Sequence, residues 1–493
     1  MHKPVEQRPI ILARVQNLLA DRTLLLVLAL ALLLRLAAII AFPSLHHPDE
    51  NFQLFEQAHR IAFGYGVVPW EFREGIRSPV LPYGLAGLFW LGDAVFGSPE
   101  GYLALARVGL ALLSVVAVAA VYRMGRRESE THALMAGLVA ATWFELVYFA
   151  SRPLTEAVAT TVLLTTLALA SVPPERLRFR RLLAIGFCLS LALMVRIHLA
   201  PGLLVAAALV GRGDVRGRWL PMALGGLTPL ILFGAADWAY WGAPFSSYVA
   251  ALRVDLVEGK ASSFGVLPPA FYLEELAARW AGALPAMAAL IVLRARGSAL
   301  WIAAALTIIA VHVVIPHKEY RFVFPAFACL AVAAAMGSAD LIKRLRAGRA
   351  APVTLGAALW VGTSATLAFA PGFSDEWIEA RDVIGAELEL AHAESLCGVL
   401  FYNHDWAGTG GYAHLHRDVP LFALVNDQET AQKSTAAFDA IVLTRASLDD
   451  FPQFTLQDCS GEEDNDVCIM KRAGQCTPAP DLEVNAMLRR TGE

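Results

Sequence analysis

The sequence predicts a polytopic α-helical membrane protein with a small α/β domain at its C-terminus, and three observations carry that expectation. Of the 493 residues, 57% are hydrophobic and only 17% charged, against about 25% charged in a typical soluble chain; the mean hydropathy is +0.52. Apolar runs of about 17–22 residues recur, the length that crosses roughly 30 Å of hydrocarbon. The net charge of −4 is divided unevenly. Residues 372–493 hold 8 Lys and Arg against 22 Asp and Glu, a balance of −14, which leaves +10 on residues 1–371. A basic membrane module (1–371) therefore precedes an acidic tail (372–493) long enough to build its own core.

About eleven spans are expected, at 24–42, 102–122, 131–150, 154–172, 181–195, 199–210, 219–241, 281–293, 298–315, 322–338 and 353–371. The first run is too long for the apolar region of a signal peptide. Orientation follows from the loops. RMGRRESE, PPERLRFRR, GRGDVRGR, RAR and KRLRAGR fall on one side with the basic N-terminus, which the positive-inside rule makes cytoplasmic. The alternation holds only if 181–210 is two spans broken near Arg196–Pro201. The opposite face then receives the long loop 43–101, SRPLTE, RIH, HKEYR and the whole acidic tail.

Within loop 43–101, Phe52, Phe55, Ala58, Ala62 and Phe63 recur at helical spacing opposite Gln53, Glu56 and Arg60. Pro48 and Asp49 start this helix and Gly64 stops it. The run 82–97 is apolar, short and interrupted by Asp93, as expected of a helix lying in the membrane interface. In the tail, a helix is expected over 374–393 and strands near 396–402, 419–424 and 438–444. Cys188 and Cys329 fall inside spans, whereas four cysteines lie in the outward-facing tail, where disulfides persist. Cys459 and Cys468 have the spacing of a bridged hairpin. The GTGG run, 408–411, is read as a turn rather than a phosphate cradle.

The chemistry concentrates in HHPDENFQLFEQAHRIAFGYG, 46–66, which follows directly on the first span. There is no P-loop, no GxGxxG after a strand and no HExxH. Glycosidic hydrolysis uses two carboxylates, one of them an acid that protonates the leaving group. Transfer from a lipid-linked sugar phosphate needs no such acid, because the phosphate leaves as a stable anion. One carboxylate that activates an acceptor hydroxyl suffices, together with cations that hold the phosphate. The outer face offers Arg77, Arg152, Arg196, His198, His317, Lys318 and Arg321 for that task.

The stretch HPDENFQLFEQAHRIAFGYGVVPWEFREGIRSPVLP, 47–82, resembles the first luminal loop of the mannosyltransferases that build GPI anchors and dolichol-linked oligosaccharides, the Alg9-like glycosyltransferase family 22. The shared pattern comprises Asp49-Glu50, Glu56, His59, Phe63 with Gly66, Trp70-Glu71 and Ile76-Arg77-Ser78; Pro69 stands where the family usually has Thr. HKEYRFVFP, 317–325, resembles the family's late outer-loop signature, and SRPLTEAVA, 151–159, is a weaker third match. The resemblance implies a C-type glycosyltransferase fold, with its active site at the luminal or periplasmic membrane surface. It also implies a polyprenyl-phosphate sugar donor, usually mannose, a glycan or glycolipid acceptor, and inversion at the anomeric carbon.

On that basis Asp49 is the expected catalytic base, ionised by the dipole of the helix it begins, with Glu50 as the alternative. His317, Lys318 and Arg321 are expected to bind the donor phosphate with help from Arg77 and Arg152, and Glu319 to orient those cations. Glu56, His59, Trp70 and Glu71 are expected around the substrates. No cofactor is required and no metal is assigned; His46, His47 and His59 fit no regular ligand spacing, and a divalent metal stays an open alternative. No nucleic-acid partner is expected. The Ala/Leu/Arg-rich composition suggests a bacterial inner membrane, with the active site and the tail on the periplasmic side. The rival readings are a protein O-mannosyltransferase or a lipid A aminoarabinose-type transferase on the same fold, and, more distantly, a flippase. A flippase calls for charges near the bilayer midplane, and most charges here sit at one face.

Overall fold

A computed structural model describes residues 21–345 and 351–491; the basic N-terminal segment and part of KRLRAGR lie outside them. Every expected span is helical. Arg22–Ala41, Pro99–Arg126, Val215–Trp241, Phe271–Leu293, Tyr320–Leu345 and Ala351–Ala368 are long and apolar enough to cross a membrane. Thr155–Ala170, Phe179–Val195, Ala200–Gly211 and Ala299–Val314 are shorter. The chain is a multi-pass membrane protein.

The expected single span 131–150 is bent. Glu130–Thr142 and Phe144–Ser151 meet at 57°, with Trp143 in an extended-type conformation between them. A bend in hydrocarbon frees backbone carbonyls that no water can satisfy. Arg35, buried in the first span, supplies the donors: its guanidinium bonds the carbonyls of Ala140, Ala141 and Leu146 at 3.0–3.3 Å. Ser364 adds a bond to the Thr142 carbonyl.

The break expected within 181–210 is present. Phe179–Val195 ends at an extended Arg196, a single 3-10 turn covers Ile197–Leu199, and Ala200–Gly211 resumes with Pro201 in its first turn, where a missing N–H is harmless. The helix Tyr320–Leu345 is buried on nearly all sides, the central post of the bundle. Phe179–Val195 and Leu220–Trp241 approach so closely that a Cβ at Gly186 would lie 1.9 Å from the Met222 carbonyl, and one at Gly225 2.0 Å from that of Leu183. Small residues permit that contact.

In loop 43–101 the helix beginning at Pro48 opens with a π-turn, Glu50–Phe55, continues as Glu56–Phe63 and stops at Gly64 with φ +91°. The interfacial candidate is the helix Val80–Phe96, which exposes Tyr83, Trp90, Leu91, Val95 and Phe96.

The tail forms a five-stranded sheet. β1 (Val399–Tyr402) lies parallel between β2 (Leu421–Leu424) and β3 (Ala440–Thr444). The hairpin β4 (Thr455–Cys459) and β5 (Val467–Lys471) joins β3 antiparallel, giving the order β2-β1-β3-β5-β4. The cysteine spacing marked this hairpin, but its two strands were not among the expected ones. β4, TLQDC, is an exposed polar edge with no apolar alternation, and it holds its place through β5 and the Cys459–Cys468 disulfide, Cα–Cα 4.0 Å. A second disulfide, Cys397–Cys476, spans 79 residues and has no local signature. The expected helix 374–393 begins only at Arg381, because Ser374–Trp377 is a 3-10 turn and Ala380 adopts φ +54°.

The tail is bolted onto loop 43–101. Glu56 accepts from the N–H groups of Val67 (2.6 Å), Tyr412 (3.3 Å) and Ala413 (2.8 Å), and Glu387 accepts from Gly410 (2.6 Å). The N–H groups at the end of the GTGG turn are therefore engaged by two buried carboxylates. Asn485 bonds Gly66 and Val68, and Tyr102 bonds the Ala413 carbonyl.

Candidate active site

The two outer-loop motifs meet around Arg321. Arg321 opens the central helix and places Nη2 2.7 Å from Asp49 Oδ2, Nη1 3.4 Å from Glu156 and Nε 2.5 Å from Glu319. Each of its three nitrogens faces a carboxylate. Glu156 in turn holds Arg196 at 2.9 Å.

Asp49 has helical backbone angles and its side chain caps no N–H. Its ionisation is therefore not the work of a helix start, as the sequence suggested. Burial alone would raise its pKa, but Arg321 above all, with the neighbouring His47 and Arg77, outweighs burial and holds the carboxyl well below the usual range. An aspartate ionised in this way can accept a proton in a transition state.

Glu50 points elsewhere. It is fully buried, bonds the His46 N–H at 3.2 Å and faces Arg152 Nη1 at 3.4 Å. Arg152 also donates to the Ser44 hydroxyl at 2.6 Å and stacks on Tyr148 at 4.3 Å. This pair braces the loop from below. Glu71, buried, accepts from Gln53 at 2.8 Å, and burial together with the neighbouring Asp49 charge raises its pKa.

Beside Asp49 a cleft opens between the broken span and the loop, lined by Gln53, Arg77, Ser78, Arg196, His198 and Tyr248. Arg77 Nε, Arg196 Nε and His198 Nδ1 are buried there without a hydrogen-bond partner. Buried polar atoms in native proteins are nearly always satisfied, so two guanidinium donors and an imidazole nitrogen left over in one cleft mark a place for an anion. Trp70 stacks on Phe264 at 5.6 Å with Lys260 over its ring at 4.1 Å, in contact with the loop that follows Leu252.

Three expected substrate contacts are engaged otherwise. Lys318 is buried and donates to the carbonyls of Leu267, Ile315 and Pro316 at 2.5–3.4 Å, a cage that pins its own loop. Glu56 is the bolt to the tail described above. His59 bonds the Tyr65 carbonyl and His416 at 3.0 Å, and burial pushes its pKa down to about 3; it packs between loop and tail as a neutral ring.

His317 remains at the site's edge, with Nε2 2.9 Å from Glu319 and Nδ1 3.1 Å from the Gly265 carbonyl. Both ring nitrogens face acceptors, which calls for the doubly protonated ring; the bond to Glu319 raises its pKa accordingly. Burial opposes the ionisation of Glu319, yet Arg321 and His317 keep it strongly acidic.

The sequence reading missed Glu156, which sits between Arg196 and Arg321, and Gln53. It also missed Glu376, which reaches back from the start of the tail to bond His46 and, at 2.7 Å, Arg279. SRPLTE carried a signal for Glu156 in its placement; Glu376 had none.

A family model described as the Alg9-like mannosyltransferase family matches residues 24–385. The chain is 25% identical over 407 residues to GPI mannosyltransferase 3 of Yarrowia lipolytica, covering 79% of this chain and 75% of that protein. A GPI alpha-1,2-mannosyltransferase 3 of Mus musculus is 30% identical over 184 residues, 37% of this chain and 33% of its own length. In fold, the structure resembles the crystal structure of ArnT from Cupriavidus metallidurans bound to undecaprenyl phosphate, with TM-score 0.61 at 13% identity over 92% of this chain and 99% of that one. The architecture is thus the C-type glycosyltransferase fold, and the chain belongs to the Alg9-like mannosyltransferase family.

Proposed function

We propose that this membrane mannosyltransferase moves mannose from a polyprenyl-phosphate donor to a hydroxyl of a lipid-linked glycan, with inversion, at the periplasmic face of a bacterial inner membrane. The observation that carries the reading is the adjacency of an Arg321-paired, ionised Asp49 to a cleft in which the Nε groups of Arg77 and Arg196 have no partner. Asp49 takes the acceptor proton as the acceptor oxygen bonds to the anomeric carbon. The bond from that carbon to the donor phosphate breaks, and its electron pair leaves with the phosphate. Arg77 and Arg196, with His198, meet the growing charge, the kind of preorganised stabilisation that lowers such barriers most. Arg321 and Glu319 position Asp49. Trp70 and Glu71 border the sugar and the acceptor.

The undecaprenyl phosphate named with the ArnT structure supports a polyprenyl carrier, and the GPI names of the relatives support a glycolipid acceptor. The test is an assay with labelled polyprenyl-phosphate-mannose in membranes containing the protein, followed by identification of the labelled lipid. Transfer by wild type and none by Asp49→Asn supports the reading. Equal labelling by both sinks it.

A further inference from the structure

His47 stands between Asp49 and solvent. Its side chain is 31% exposed, against 17% for Asp49. The backbone N–H of Asp49 donates to His47 Nδ1 at 3.1 Å, so Nδ1 carries the lone pair and the ring proton sits on Nε2. Nε2 lies 3.3 Å from Glu319 Oε2, and Nδ1 lies 3.5 Å from Asp49 Oδ1. An imidazole with its accepting nitrogen beside the proposed base, its N–H beside a second carboxylate and an edge toward water is arranged to pass a proton on.

We propose that His47 receives the proton that Asp49 removes from the acceptor hydroxyl and discharges it to water. This rests on Asp49 being the base. The proton moves from the acceptor oxygen to Asp49 Oδ1, then to His47 Nδ1, which gives up its bond from the Asp49 N–H; this restores the aspartate and leaves an imidazolium. The imidazolium loses its Nε2 proton to solvent, and the remaining Nδ1 proton re-equilibrates through water to Nε2, so the enzyme returns to its starting state. Glu319 stabilises the cation while it exists.

The charges around His47 fit this sequence. Asp49 and Glu319 flank the ring, and Arg321 faces both carboxylates rather than the imidazole. His317 adds a positive charge on the far side of Glu319, and Arg77 acts on Asp49 from the cleft. The same forces that keep Asp49 ionised make its protonated form short-lived, so a neighbouring acceptor speeds the return of the base. Imidazole is the side chain suited to exchanging protons near neutral pH.

The experiment uses the full-length protein in membranes, with labelled polyprenyl-phosphate-mannose and endogenous glycolipid as acceptor. His47→Ala should lower turnover by about 10² or more, the lower end of a general acid–base contribution, with donor binding retained. Added imidazole should restore turnover to that variant in proportion to its concentration. His47→Gln can still accept from the Asp49 N–H and donate to Glu319, but it carries no exchangeable lone pair of this kind, and it should remain slow. Retained donor binding certifies that the variants are folded. A wild-type rate in His47→Ala, a loss that imidazole does not repair, or recovery in His47→Gln would each overturn the relay. Failure of the base reading looks different: Asp49→Asn itself would turn over normally, whereas failure of the relay alone leaves Asp49→Asn inactive.

Discussion

Arg321 Nη2 lies 2.7 Å from Asp49 Oδ2, a contact that ties the first outer loop to the start of the central helix. The pair fixes the orientation of the carboxylate and its charge together. In the proposed mechanism Arg321 therefore acts through Asp49, whose orientation and charge it sets.

Asp49→Asn keeps the shape of the side chain and removes the base, so turnover should fall by about 10²–10⁴ with donor binding little changed. Glu50→Gln discriminates between the neighbours. Its partners lie on the Arg152 side, and it should alter stability more than chemistry. A greater loss of turnover in Glu50→Gln than in Asp49→Asn would transfer the base role.

Arg321→Ala should shift the pH dependence. The Asp49 carboxyl is held low by Arg321 despite burial, so removing that charge raises its pKa. The acid limb of kcat/KM should then move to higher pH, and activity near neutrality should fall further than at alkaline pH. An unmoved acid limb in a folded variant would contradict the pairing.

Arg77→Ala and Arg196→Ala each remove a charged donor from the cleft. Hydrogen bonds to charged groups contribute about 1.5–3 kcal/mol, so donor titration should show affinity weakened by roughly 10- to 100-fold. Lys318→Ala provides the contrast. Its ammonium serves three carbonyls of its own loop, and the variant should lose thermal stability before it loses donor affinity.

Glu56 predicts a pH-dependent junction between loop and tail. Burial pushes its pKa up from 4.5 to about 7 in spite of three N–H donors, and Glu387 beside the same turn is raised in the same direction, also by burial. A carboxyl whose folded pKa exceeds its unfolded value stabilises fully below the unfolded pKa and loses that contribution as pH rises through the folded one. Tail docking, read by limited proteolysis or by Tm, should therefore weaken between about pH 4.5 and 7 and above. Glu56→Gln should flatten that dependence; its single oxygen can keep the Val67 and Tyr412 bonds made to Oε1, while the Ala413 N–H loses its acceptor.

The orientation drawn from the loop charges predicts that a reporter fused after residue 375 is active outside the cytoplasm, and one at Arg212 inside. Non-reducing mass mapping of the outward tail should recover the Cys397–Cys476 and Cys459–Cys468 peptides as linked pairs. Loop-entropy arithmetic gives the longer closure the larger effect, about 4.5 against about 2.7 kcal/mol, so Cys397→Ser should destabilise the tail more than Cys459→Ser.

The sequence alone determined whatever depends on residues near one another in the chain. Span positions follow from apolar length, and the break at Arg196–Pro201 from loop charge. The helix ending at Gly64 and the Cys459–Cys468 hairpin follow from local periodicity and spacing. The motifs HPDE and HKEYR also marked the loops that would meet. Only the tertiary structure decided what each polar atom bonds, because a hydrogen-bonding group is satisfied by whatever folding brings to it. Lys318 fell into a cage of carbonyls and Arg321 among three carboxylates, while Glu56 and His59 turned toward the tail. Arg77, Arg196 and His198 were left with unpartnered nitrogens in the cleft. Glu376 reached His46 from 330 residues along the chain, and Cys397 found Cys476 across the sheet. All are cations, acids or thiols that look alike in one dimension, and they differ only in the partners that packing of distant segments supplied.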